Sequence, residues 1–271
     1  MSESEKPKPR WAKMPNRWAM SGGLKKFGEV DDQGKVDTVA INASLAALKV
    51  YLAICTRADY ASGIVKTTYP ELCALVGHSR NLVARSLRVL EEGGHIRRDT
   101  TQPRGGSRIY VERWTEDKGF AKIPKSWLYQ GRGSKDDRAS NPPEKTLIKL
   151  KAFTFGKRLS LQALKIYVLL LVMRNRDYPN GDGLTVITYD KISEYTGVKR
   201  HSVSLAINLL MEMNMISFRS GDTNTDDSLD FDRTNRYLIK GLALRYREQA
   251  ASKTARTSEQ PDPAQPSPAA A

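Results

Sequence analysis

The chain repeats itself, and that constrains its fold more than any other feature. Trp11 to Trp18 reads WAKMPNRW and Phe120 to Trp127 reads FAKIPKSW, so an aromatic residue, Ala, Lys, an apolar residue, Pro and Trp return in the same order. LAALKVY at Leu45 to Tyr51 returns as LQALKIY at Leu161 to Tyr167. Thr68 to Ile96 returns as Thr188 to Ile216, where TYPELCALVG faces TYDKISEYTG. Gly77 thus aligns with Gly197, and Leu87 and Leu90 with Ile207 and Leu210. The spacing between partners grows from 109 to 116 to 120 residues, as small loop insertions would make it. Self-similarity of this kind means one supersecondary unit made twice. A chain of 271 residues is long enough to give each copy a core.

The expected division follows the repeat. Residues 1–10 form a disordered basic arm and 11–115 the first module. Residues 116–146 are a connecting segment and linker, and 147–247 the second module, with its opening strand near 120–128. Residues 248–271, ending TSEQPDPAQPSPAAA, lack large apolar side chains and form a disordered Ala/Pro-rich tail. The polar linker QGRGSKDDRASNPPEK at Gln130 to Lys145 falls after FAKIPKSW, inside the second repeat. The opening segment therefore either packs against the second module or bridges the two.

Local patterns define the unit. A Pro-containing extended segment comes first, anchored by Trp18 or Trp127. A helix follows near Ser44 to Arg57 and Ser160 to Arg174, with apolar residues at helical spacing as at Leu45, Leu48, Tyr51, Leu52 and Cys55. Next comes a short strand within Ala61 to Thr67 or Asn180 to Ile187; Asn180-Gly181 and Asp182-Gly183 signal turns. Leu72, Leu75 and Val76 mark a short helix, and Gly77 suits the positive φ of a helix exit. Ser79 caps a second helix with Val83, Leu87 and Leu90 inside, and Gly93-Gly94 ends it. Strands at Ile96 to Thr100 and Arg108 to Glu112 flank a turn at Pro103 to Gly106. Helix, tight turn, helix, hairpin is the order of a winged helix-turn-helix. The fold expected is mainly α with small β-hairpins, an α+β fold of two tandem winged helix-turn-helix domains.

Charge points to a partner. The net charge is +14 and the sequence pI about 9.7, which favours a polyanion, with nucleic acid ahead of a membrane surface. With Val83, Leu87 and Leu90 inside, Arg80, Asn81, Ala84, Arg85 and Arg88 face outward. Arg pairs bidentately with guanine and Asn with adenine, and the early part of such a helix enters the major groove. The wing adds Arg97, Arg98, Arg104 and Arg108. From Arg80 to Arg113 there are eight arginines and four acids, and no lysine. The planar fork of Arg suits phosphates and base edges.

The second copy offers Lys199, Arg200, His201, Ser204 and Asn208. Its wing, Ser220 to Arg233, carries five aspartates, which a phosphate backbone repels; it either points away from DNA, meets a protein, or is a solvated loop. Arg219, Arg233 and Arg236 at the hairpin base remain within reach of phosphate.

Other classes have less behind them. The sequence has no GxxxxGK[ST] loop, no HExxH and no zinc-spaced Cys/His set, so no catalytic residue, cofactor or metal is expected. His78 and His95 read as structural. Cys55 and Cys73 lie in apolar helical patterns without CxxC spacing, which suits buried thiols in a reducing compartment. MSESEKPKPR lacks the apolar core of a signal peptide, and the run Ile166 to Met173 is far shorter than the roughly 20 residues of a membrane span. The expected location is the bacterial cytoplasm, associated with nucleoid or plasmid.

Ile123-Pro124, LSLQALKIYVLL at Leu159 to Leu170, the segment Thr188 to Ile216 and NRYLI at Asn235 to Ile239 together resemble the winged-helix domain of plasmid and phage replication initiators. WAKMP and SRIYV give the first copy the same resemblance. The resemblance covers about residues 11–115 and 120–240. It implies binding to repeated origin sites, contact with host replication machinery, and repression of the protein's own promoter. It also implies that Arg80, Asn81, Arg85 and Arg88, with Lys199, Arg200, Ser204 and Asn208, read double-stranded DNA. The second reading is a winged-helix transcriptional regulator of a plasmid or mobile-element operon, and the third a protein-interaction scaffold. A monomer and a homodimer both fit.

Overall fold

A computed structural model describes residues 10–31, 33–99, 107–116, 119–129, 146–176, 183–219 and 235–242. They form a mixed fold of helices and several short β-sheets. The first half runs β1 (Ala12–Pro15), α1 (Arg17–Met20), a 3-10 turn (Gly23–Lys26), α2 (Thr38–Arg57), β2 (Ile64–Thr67), α3 (Tyr69–Val76), α4 (Arg80–Glu92), β3 (Ile96–Asp99) and β4 (Ser107–Val111). The second half repeats the order: β5 (Phe120–Ile123), α5 (Lys125–Tyr129), α6 (Ile148–Lys151), α7 (Arg158–Val172), β6 (Thr185–Ile187), α8 (Tyr189–Thr196), α9 (Arg200–Glu212), β7 (Ile216–Arg219) and β8 (Asn235–Ile239).

The ends of the helices follow from single side chains. The carboxylate of Asp37 accepts from the amides of Val39 and Ala40, so α2 starts at Thr38, six residues before the expected Ser44. Thr68 and Glu71 form a reciprocal capping box at the start of α3. Gly77 ends α3 at φ 68° and Gly197 ends α8 at φ 70°, a conformation that costs a residue with a Cβ. Ser79 accepts from Leu82 N at the start of α4, whereas Lys199 gives α9 no side-chain cap.

Each half carries one antiparallel three-stranded sheet, in the orders β2-β4-β3 and β6-β8-β7. Val65 faces Ile109, and Arg98 faces Ile109 from the other side. One expected boundary needs correction. Extended chain in the segment 120–128 is confined to Phe120–Ile123, because α5 begins at Lys125, after Pro124. The first strand of each sheet lies within its expected segment, at Ile64–Thr67 and Thr185–Ile187. Residues 1–9 of the expected arm, the turn at 103–106, the Asn180-Gly181 signal, the whole 130–145 linker, the acidic loop after Arg219 and the tail lie outside the described residues.

The two halves interlock. Helices α2 and α7 pack side by side, and one continuous core of buried residues runs through both halves. Each buried Leu, Ile or Val on these helices contributes roughly 1.5–3 kcal/mol. Helix α2 is long and apolar enough to match a membrane span by length and composition, and 72% of that window is buried in this core.

The opening segments bridge the halves: β1 pairs antiparallel with β5, with Ala12 opposite Ile123, Lys13 opposite Lys122 and Met14 opposite Ala121. Lys13 and Lys122 are repeat partners, so the pairing is two-fold symmetric about them. The same relation recurs at the core. Lys49 Nζ donates to Phe153 O at 2.6 Å, and its repeat partner Lys165 donates to Phe27 O at 3.2 Å. The 3-10 turn packs on α8, and α6 packs on α3. Leu147 N donates to Leu75 O at 2.8 Å and the Thr146 hydroxyl to Ala74 O at 2.9 Å. The two copies are therefore arranged as a pseudo-dimer within one chain.

Candidate nucleic-acid interface

Helix α4 separates its residues by side. Val83, Ser86, Leu87 and Leu90 are buried, and Arg80, Asn81, Arg85 and Arg88 are exposed. The exposed set occupies one stripe because 3, 4 and 8 residue spacings return to the same face of a helix. Ala84 on the same stripe is half-buried. From Arg80 to Leu90 the helix carries no acid.

Tyr69, the first residue of α3, packs against the core and is the hub of the local charge arrangement. The Arg80 guanidinium lies over its ring at 5.4 Å. Its hydroxyl accepts from Arg98 at 3.3 Å. Arg98 also pairs closely with Glu91, and its side chain is only 20% exposed. The Arg98 contact holds the Glu91 carboxyl below its usual range, and Glu91 in turn raises the Arg98 pKa. Arg98 therefore fastens β3 to α4, and two of its five guanidinium N–H donors are already used by Tyr69 and Glu91. Arg97 stands exposed, 4.3 Å from the Tyr110 ring centroid and 3.6 Å from the Glu112 carboxylate. Arg108 is half-buried on β4, between Lys66 and Asp99 in the register. Arg104 lies outside the described residues.

The second copy places its expected residues on the matching helix with different chemistry. Lys199, Arg200, His201 and Asn208 are exposed and Ser204 is half-buried. Arg200 pairs with Asp190 across the start of α8. Leu205 is 56% exposed at the position of Arg85, and Met211 36% exposed at the position of Glu91. Reading only polar residues missed these two apolar positions, although the alignment of the copies displays both. Arg236 is half-buried in β8; the acidic residues 222–232 and Arg233 lie outside the described residues.

The other two histidines lie inward. His78 and His95 are buried, and burial pushes each imidazole down to about 4. His95 stacks on Phe27 and meets the rings of Trp18 and Tyr51. Cys55 is buried and free, and Cys73 is free and half-buried. Among the described residues no group of three or more His, Cys, Asp or Glu could hold a metal ion. What α4 offers is an array of guanidinium and amide donors on a rigid rod, suited to acceptors on a polyanion.

No protein-family model, no curated protein sequence and no solved structure matches the chain.

Proposed function

We propose that the chain consists of two tandem winged helix-turn-helix modules that bind double-stranded DNA sequence-specifically, as the initiator of plasmid or phage replication at repeated origin sites. One observation carries the reading: Arg80, Asn81, Arg85 and Arg88 share an exposed stripe of α4, and no acid stands on that helix before Glu91. The helix–Gly77–helix order followed by the β2-β4-β3 sheet supports the module assignment. The +14 charge supports a polyanionic partner. The initiator role rests on the resemblance of the repeat to that class. Host replication machinery is then the second partner, with no cofactor and no membrane involved.

The pseudo-two-fold arrangement refines the target. Two helices related by a two-fold meet half-sites in inverted orientation. Because α4 and α9 carry different outer residues, the half-sites differ in sequence. The α4 half supplies most of the phosphate and guanine contacts. Leu205 and Met211 on α9 suit thymine methyl groups.

The two-fold also favours a second reading, a repressor on an imperfectly palindromic operator. Selecting bound duplexes from a random pool and footprinting them tests DNA reading itself. Protection of roughly two helical turns with unequal inverted half-sites is expected; protection shorter than one turn contradicts two-module reading. Plasmid loss on deletion of the gene separates initiator from repressor.

A further inference from the structure

Trp18 and Trp127 are repeat partners, and the fold satisfies only one of them. Trp127 Nε1 donates to Asn214 O at 3.0 Å, in the turn that ends α9. The Trp127 side chain presses on Gly241, where an added Cβ would stand 2.3 Å from the Trp127 Cβ. The Lys149 ammonium covers the ring at 5.0 Å and donates to Met213 O at 3.3 Å. Ring, indole N–H and turn carbonyls thus close on one another. Trp18 is 8% exposed, and its Nε1 is buried without a hydrogen-bond partner. A buried donor without an acceptor is costly and calls for a physical account.

The account lies in Arg113. Matching backbone bonds fix the alignment of the copies here: Glu112 N donates to His95 O and Lys240 N to Met215 O, both at 3.0 Å. Gly94 therefore stands at the place of Asn214, and both are left-handed, at φ 69° and 54°. Arg113 stands at the place of Gly241, at φ 58° where the glycine has 83°. Among the described residues, Arg113 and Asn214 alone combine a side chain with positive φ. Such a residue is strained, and strain of this kind gathers at functional sites. An indole seated on Arg113 as Trp127 sits on Gly241 would collide with the Arg113 Cβ. Trp18 is kept from that seat, and its N–H goes without the turn carbonyl that Trp127 finds.

A cleft of about 120 Å³ is left at this place, against the turn that ends α4. Trp18, Tyr51 and His95 give it aromatic walls, Gly94 lines it from the turn, and the exposed Lys26 and Arg113 line it as well. The charges that act on the His95 imidazole are those of Lys26 and Arg113, so the potential at that wall is positive. The described lining has one carboxylate, Glu112, which stands 3.6 Å from Arg97.

We propose that this cleft binds a small planar anion, a single aromatic ring bearing a carboxylate, with the ring among Trp18, Tyr51 and His95 and the carboxylate held by Lys26, Arg113 and the Trp18 N–H. The occupant must bring an acceptor, a negative charge and a flat apolar body together. Inorganic phosphate lacks the body, and a neutral ring lacks the charge. Size sets the upper limit: a cavity of about 150 Å³ takes benzene, so one ring fits and a nucleotide does not. The proposal stands whether or not α4 reads DNA.

The test uses the full chain labelled with nitrogen-15, in which each tryptophan indole N–H gives its own signal; Trp18→Phe identifies that of Trp18. Benzoate is the probe, with inorganic phosphate and benzyl alcohol as controls at equal concentration. Benzoate is expected to shift the Trp18 signal with saturation in the millimolar range, as so small a ligand allows. The Trp127 signal, held by Asn214, is expected to stay. Arg113→Gly removes a cation and relieves the left-handed strain. It is expected to melt no earlier than wild type and to lose roughly tenfold in benzoate affinity. If that variant melts early, Lys26→Met, at an exposed position, replaces it and is expected to lose severalfold. Three results overturn the proposal: benzoate leaves the Trp18 signal in place or moves it without saturation; phosphate or benzyl alcohol moves it as far; or the folded cation variant binds benzoate unchanged.

Discussion

Arginines that look alike in the sequence divide into two kinds in the fold. Arg80, Arg85 and Arg88 project from α4, whereas Arg98 is held by Glu91 and Tyr69. Arg98→Ala is expected to cost about 1–3 kcal/mol of stability, because it strips a half-buried carboxylate of its partner. Urea unfolding reads that loss; an unchanged midpoint contradicts the fastening role. Strand alternation puts Arg98 on the face of buried Ile96 and Arg97 on the other, but the pairing itself depends on Glu91 lying across from β3. The two buried histidines give a pH signature. Each has a folded pKa of about 4 against an ordinary 6.5, so the unfolded chain binds more protons between those values. Stability is therefore fully present above pH 6.5 and falls as pH drops towards 4, by up to ~3 kcal/mol per histidine. The urea midpoint is expected to fall between pH 6.5 and 5, before most carboxylates titrate. The variant His78→Leu/His95→Phe should flatten that slope; an undiminished slope assigns it to other groups.

The best-read elements are those whose instructions sit within a dozen residues. A cap at Thr68, a glycine at 77, a second cap at Ser79 and the stripe Val83, Leu87, Leu90 specify α3, the turn and α4 locally. Gly77→Ala and Gly197→Ala are each expected to cost about 1–2 kcal/mol, from the left-handed backbone. The added methyl at 77 meets only the far end of the Lys151 side chain, and at 197 it makes near-ordinary contact with Lys25. The two costs should therefore match within error in urea melts; a much larger loss at 77 would mean that Lys151 cannot move. Pairing of β1 with β5 was not legible, because the partner lies over a hundred residues away. The expectation left packing and bridging open, and both occur: β5 packs on α7 and Trp127 donates to Asn214 O, while β5 also pairs with β1. The 3-10 turn and α6 were also missed. Their signal was present as LKKF at Leu24 to Phe27 and LKAF at Leu150 to Phe153, a further match between the copies.

At the scale of the molecule, the repeat predicts two like units, and their interlocking is a property of the fold. The two reciprocal lysines show how symmetry is broken. Lys165 lies near Glu29, which also accepts from Arg158 and Gln162. Lys49 has the carbonyl of Phe153 and the Phe155 ring at 4.8 Å. Burial pushes both lysines down to about 8. A depressed amine pKa means that the unfolded chain holds the extra proton above pH 8, so stability rises with pH from there. The rise is clearest between pH 8 and 9, before the buried Cys55 thiol, whose pKa is raised, opposes it. Lys49→Met is expected to remove about half of that rise and to stabilise the protein at pH 7. An unaltered pH profile would show that Lys49 is solvated in the native state.

The account as a whole stands on the α4 stripe. Duplexes selected by the wild-type chain, titrated with wild type and with a folded Arg80→Ala/Arg85→Ala/Arg88→Ala variant at two salt concentrations, measure its role. The expected result is a loss of at least a hundredfold in affinity, a shallower salt dependence and no remaining preference for the selected sequence. Equal affinity and equal sequence preference in the two proteins would contradict it.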